Sequence, residues 1–219
     1  MKPLILSNKP LIRAFNCDCM DFMKGVPKNH YGLSICDPPY GLGDRLTRGG
    51  GKNGWSKRTN SSADKWDIVP GKEYFNSLFE VSKNQIICGG NFFELPPCRQ
   101  PICWDKKRDH DIYSSHWEYI WTSFVGRSLM FRKSNNGGFV QKEPKIHPTQ
   151  KTVSLYLWLL NNFAQSGQTI LDTHGGSFSS AIACWKMGFG LDICELDKDY
   201  FREACERFKR ETRQQNMFR

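Results

Sequence analysis

The sequence has no apolar run approaching ~18 residues, the length a membrane-spanning helix requires. Its N-terminal apolar patch is broken by Pro3, Asn8, Lys9, Pro10 and Arg13. Neither membrane insertion nor secretion is expected. Cysteines in the C-x-x-C spacing are also missing. The nine cysteines are an odd number that lie mostly in apolar stretches, so reduced thiols in a cytoplasmic protein are expected. Cys98, Cys103, His110 and His116 match no standard zinc spacing, and no metal is expected. Acidic residues are scarce, with 22 Asp+Glu against 31 Lys+Arg and a net charge of +9. That excess favours a polyanionic partner without identifying it. Repeats, low-complexity tracts and interdomain linkers are absent. A chain of 219 residues suits a single domain over 1–219 with functional loops.

What is present is an alternation of short apolar runs with amphipathic stretches, the pattern of a layered α/β sheet. Candidate strands are Leu11–Phe15, Gly32–Cys36, Gln85–Cys88, Pro101–Trp104, Trp117–Thr122, Thr169–Leu171 and Gly190–Cys194. Val153, Tyr156, Leu157 and Leu160 fall at helical spacing, as do Phe201, Ala204, Cys205 and Phe208, and each set reads as a core-facing stripe. Two basic, glycine-bearing intervals, 41–67 and 126–145, break the alternation. Insertions of that length in a compact domain usually serve a function.

Asp37-Pro38-Pro39-Tyr40 follows an apolar run, at the carboxyl end of a strand where open α/β sheets bind ligands. Consecutive prolines cannot extend a ladder, so they fix a rigid turn with free carbonyls. Such a turn suits methylation of a base amine, whose lone pair is delocalised into the ring. The Asp37 carboxylate and the Pro38 carbonyl can each accept one amine hydrogen, which favours a pyramidal nitrogen and stabilises its developing positive charge. Tyr40 can stack on a base flipped out of the duplex.

A second segment runs from Thr169 through Asp172, Thr173, Gly175, Gly176 and Ser177 into a helical stretch, reading as strand, glycine turn, helix. About 20 residues on, Glu195 ends another strand, where an acidic side chain can hold the ribose hydroxyls of a nucleoside cofactor.

Together these motifs resemble the DNA amino-methyltransferases. Asp37 to Tyr40 resembles their catalytic motif, Asp172 to Ser177 their cofactor loop, and His147-Pro148-Thr149-Gln150-Lys151 the segment preceding that loop. Cys17-Asp18-Cys19 resembles their acidic turn on the cofactor's adenine, and Cys88 to Phe92 a strand end of phage-type members. The order, catalytic motif first, is that of the circularly permuted beta class. The resemblance implies a Rossmann-like class I methyltransferase fold, a seven-stranded mostly parallel sheet with one antiparallel hairpin, for which Trp104 to Trp121 is the candidate.

The resemblance also implies S-adenosylmethionine as cofactor, bound by Cys17, Asp18, Asp37, His147, Thr149, Gln150, Lys151, Asp172, Thr173, Gly175, Gly176, Ser177 and Glu195. Double-stranded DNA is the implied partner, in a prokaryotic or phage-encoded, nucleoid-associated protein. A homodimer and a restriction endonuclease on a separate chain go with that class. Arg45, Arg48, Lys52, Lys57 and Arg58 in the first basic interval, and Arg132 and Lys133 in the second, are the expected phosphate contacts. The basic helix with Arg202, Arg207, Lys209, Arg210 and Arg213 reads as a solvated face.

Asp37 at the head of the motif points to adenine N6, since N4-cytosine enzymes more often begin it with serine. N4-cytosine remains the alternative. RNA and protein-glutamine methyltransferases carry related motifs in the opposite order. The sequence departs from the family at Thr152, His174 and Phe178. A bulky Phe178 either narrows the cofactor pocket or points into a helix interface, and the first outcome would suit a catalytically silent DNA-binding module.

Overall fold

A computed structural model describes residues 2–42, 67–107, 115–133, 146–147 and 149–216. Among these described residues nine strands form one sheet: β1 (Leu4–Asn8), β2 (Leu11–Asn16), β3 (Leu33–Cys36), β4 (Gln85–Cys88), β5 (Ile102–Asp105), β6 (Trp117–Thr122), β7 (Leu129–Arg132), β8 (Thr169–Asp172) and β9 (Gly190–Glu195). Their spatial order is β1-β2-β9-β8-β3-β4-β6-β5-β7. All seven strands expected from the sequence are present, and the count of seven is corrected to nine. The additional strands, β1 and β7, sit at the two edges of the sheet. Each is half solvated, so its apolar signal is weak. β1 pairs with β2 through a tight hairpin at Lys9-Pro10, and β7 lies inside the interval read as a loop. The β5–β6 pair is the expected antiparallel hairpin.

Successive strand residues point to opposite faces. Ile35, Ile86, Ile120 and Ile170 enter one core, and their neighbours Cys36, Ile87, Trp121 and Leu171 enter the other. Helices α1 (Cys19–Met23) and α2 (Lys72–Val81) cover the second core, to which α2 contributes Tyr74, Phe75, Leu78 and Val81 at helical spacing. Helices α3 (Val153–Phe163), α4 (Ser179–Met187) and α5 (Lys198–Asn216) cover the first. Thr152, one of the departures noted above, caps α3 by accepting from the Leu155 amide, a contact worth about 1 kcal/mol.

The parallel strands β3 and β8 are neighbours at the centre, and the chain winds outward from them in opposite directions, through α2 to β4 and through α4 to β9. Their carboxyl ends therefore flank a switch point, the place where such sheets leave a crevice. No helix among the described residues is long and apolar enough to cross a membrane. All nine cysteines are free thiols.

Candidate active site

A cleft of about 230 Å³ opens at this switch point. Asp37, Pro38, Pro39 and Tyr40 from the end of β3 line it, together with Cys17, Asp18, His147, Thr149, Gln150, Lys151, Thr173, Gly175, Gly176, Ser177 and Glu195. The expected catalytic turn and cofactor loop thus share one cavity. Asp172 does not face it. Buried beneath the loop, it accepts from the His174 amide at 3.0 Å and from Ser180 Oγ at 2.5 Å, and burial pushes its carboxyl up to about 7.

Tyr40 packs against the end of β4. Gly89 there has φ +66°, and a Cβ on it would come within 2.4 Å of the Tyr40 ring, so glycine permits this approach. Phe92 is stacked on Tyr40 with centroids 4.8 Å apart. The Tyr40 hydroxyl lies 2.5 Å from Asp37 Oδ1 and 3.0 Å from Glu118 Oε1.

Lys151 joins the same group. Its Nζ is 2.8 Å from each Asp37 oxygen, 3.0 Å from Glu118 Oε1 and 3.2 Å from the Tyr40 hydroxyl. Burial alone would lower the Lys151 pKa, but Asp37 and Glu118 outweigh it and the ammonium stays charged. Burial raises the Asp37 carboxyl, Lys151 opposes that rise and the Glu118 charge adds to it. Glu118 is held down at about 2, because Lys151 and Lys106 overcome its burial. The Lys106 Nζ is 2.9 Å from Glu118 Oε2. Asp37, Cys88 and Glu118 bring one atom each within 4.8 Å of one another, and the chain's own ammonium supplies the counter-charge there.

At the other end of the cleft, Glu195 accepts from the Gly176 amide at 2.7 Å and the Asp197 amide at 2.8 Å. Asp18 caps α1 by accepting from the Met20 amide at 2.7 Å. His147 is buried against Tyr200, its ring centroid 4.4 Å away, and burial lowers its pKa to about 4, so the imidazole is neutral. Phe178 is fully buried and points away from the cleft, edge-on to Phe201 and under Gly175, whose added Cβ would meet its ring at 2.6 Å. Of the two outcomes posed by the sequence, it takes the helix interface.

Three residues of this architecture were not apparent in the sequence. Glu118 stands opposite Trp104 in the β5–β6 register, and β6 runs antiparallel, which brings its first residues to the cleft edge. Ile102, Trp104 and Lys106 share one alternation, as do Glu118 and Ile120, so charges at core-facing positions were the available signal. Arg207 is a correction. Read as part of a solvated face, it is fully buried, on the same side of α5 as Ala204 and Phe208.

Of the expected DNA contacts, Arg45, Arg48, Lys52, Lys57 and Arg58 lie outside the described residues, as do His110 and Pro148. Arg132 belongs to the edge strand β7, where it pairs with Asp105 at 2.8 Å, and Lys133 follows it. Neither lines the cleft.

No family model matches the chain. It is 25% identical to the Type II methyltransferase M2.MboI of Moraxella bovis, over 98% of this chain and 96% of the relative. Its fold is similar to that of PvuII DNA methyltransferase, a cytosine-N4-specific enzyme, with TM-score 0.62, 10% identity and coverage of 92% and 90% of the two chains. TTHA0409 of Thermus thermophilus, solved in complex with S-adenosyl-L-methionine, gives TM-score 0.55 at 18% identity, covering 90% of this chain and 95% of that one. The M1.HpyAVI–SAM complex gives 0.58 at 17%, covering 90% and 99%. Sequence likeness over nearly the whole chain, likeness of fold and the motifs gathered in one cleft together support the DNA amino-methyltransferase family for this protein.

Proposed function

We propose that the protein is an S-adenosylmethionine-dependent DNA methyltransferase acting on an exocyclic base amine, adenine N6. One observation carries the reading: the Asp37 turn, the Gly175-Gly176 loop and Glu195 line a single cleft. The donor set fits the cofactor. Glu195 suits the ribose hydroxyls, Asp18 and Cys17 the adenine, and Gly175 to Ser177 the main-chain contacts a close-lying ligand requires. His147, Thr149 and Gln150 complete the wall, and the motif order is that of the permuted class.

When bound, S-adenosylmethionine supplies an activated methyl group. The chain supplies orientation and charge. Asp37 and the Pro38 carbonyl accept the amine hydrogens, aim the nitrogen lone pair and stabilise the charge it gains. Asp37 is the nearest carboxylate for the proton the nitrogen then sheds. Tyr40, braced by Phe92 and Gly89, presents a fixed ring to the extruded base.

The test is transfer of labelled methyl to duplex DNA, RNA and protein in parallel. Incorporation into DNA that depends on Asp37 supports the reading, and incorporation only into RNA or protein overturns the substrate class. Cytosine N4 is the second reading, favoured by the likeness of fold to the PvuII enzyme.

A further inference from the structure

The amine reading needs Asp37 as an acceptor, yet both of its oxygens already accept, Oδ1 from two donors and Oδ2 from one. Lys151 Nζ sits 2.8 Å from each, and the Tyr40 hydroxyl is 2.5 Å from Oδ1. An incoming amine that takes Oδ1 must displace one of these donors, and at Oδ2 it competes with Lys151 for the carboxylate. At this depth a displaced ammonium or phenol without an acceptor is strongly unfavourable.

Glu118 removes that obstacle. Its Oε1 is 3.0 Å from Lys151 Nζ and 3.0 Å from the Tyr40 hydroxyl, while Lys106 holds Oε2. Tyr40 has one hydrogen and two carboxylates in reach, so it donates to Asp37 or to Glu118 and not to both at once. Lys151 likewise spans both groups. Lys106, lying 5.1 Å from the centre of the Trp104 ring, fixes Glu118 in place.

We propose that Glu118 is a positioning residue of the amine site, the acceptor that takes over Tyr40 and Lys151 when the target amine takes Asp37. The exchange moves hydrogen bonds within a group whose charges already balance, two carboxylates against two ammoniums. It rests on the methyltransferase reading above.

The groups facing Asp37 are Lys151, Glu118 and Tyr40, with Cys88 from β4, Asp172 from β8 and Tyr156 from α3 further out. The Glu118 charge raises the Asp37 pKa. Neutralising Glu118 therefore moves Asp37 titration to lower pH, and the acid limb of kcat follows, since only ionised Asp37 carries the charge that stabilises the nitrogen's developing positive charge.

The experiment compares wild type with Glu118→Gln. The expected result is a kcat at least tenfold lower, S-adenosylmethionine affinity within twofold, and an acid limb shifted to lower pH. A matching shift of the Asp37 carboxyl ¹³C titration is expected in the cofactor-free protein. Glu118→Asp, which keeps the charge, should recover part of kcat and serves if the glutamine variant fails to fold. An unchanged kcat with an unmoved limb overturns the inference alone. So does a fall in kcat that tracks lost cofactor affinity without any limb shift. If the wild type transfers no methyl to DNA, the underlying reading fails and the inference falls with it.

Discussion

Arg207 Nη1 on α5 lies 2.7 Å from the Ser177 carbonyl in the glycine loop, and 2.9 Å from Ser179 Oγ. Ser179 in turn donates to the Lys151 carbonyl at 2.8 Å. One buried guanidinium on the last helix thus holds the glycine loop and, through Ser179, the backbone of Lys151.

Arg207→Met leaves the Ser177 carbonyl without its donor, at about 1–3 kcal/mol. The expected variant is folded, melts at lower temperature and binds S-adenosylmethionine several-fold more weakly. Calorimetry checks both effects. Unchanged affinity at a lowered melting temperature would confine Arg207 to stability.

Asp37→Ala and Glu195→Ala should dissociate catalysis from binding. Removing Asp37 takes away an amine acceptor, so transfer should fall by about 10²–10³-fold, with cofactor affinity nearly intact. Removing Glu195 loses charge-assisted hydrogen bonds of about 1.5–3 kcal/mol, a roughly tenfold or greater rise in cofactor Kd. Transfer by Asp37→Ala within tenfold of wild type would refute its role, and an unchanged Kd in Glu195→Ala would misplace the ribose site.

These two residues were legible because each ends a buried parallel strand whose apolar run stands out, and because the Pro38-Pro39 and Gly175-Gly176 turns punctuate the chain near them. β1 and β7 were not legible, since half-solvated edge strands carry little contrast with loops. Glu118, Lys106 and Arg207 escaped for another reason. A charge in an apolar stripe reads as surface until the facing strand or loop supplies its partner, and those partners are distant in sequence. Phe178 illustrates the same point: its position in the loop was plain, but its direction depended on α5.

Asp172 should leave a signature in stability against pH. Its folded pKa, about 7, exceeds the usual carboxylate value, so the folded state holds a proton that the unfolded chain has lost between about pH 4 and 7. Its contribution to stability therefore declines as pH rises through that window. His147 and His174, both lowered to about 4 by burial, act in the opposite sense. The difference between proteins isolates Asp172: Asp172→Asn should gain relative to wild type from pH 5 to pH 7.5 in urea unfolding. An equal response in both would show that Asp172 titrates normally.

Charge reversal at Arg45, Arg48 and Lys52 should weaken duplex DNA binding and reduce its salt slope by roughly one per lost phosphate contact. Cofactor affinity should not change. Persistence of DNA affinity at every salt concentration would shift attention to the second basic interval.

The most direct measurement is the product itself. Unmethylated genomic DNA is incubated with the protein and S-adenosylmethionine, digested to nucleosides and analysed by mass spectrometry. N6-methyladenine, absent with Asp37→Ala, is the expected result. N4-methylcytosine would overturn the adenine assignment while keeping the amine mechanism, and the absence of any methylated nucleoside from DNA would contradict the account.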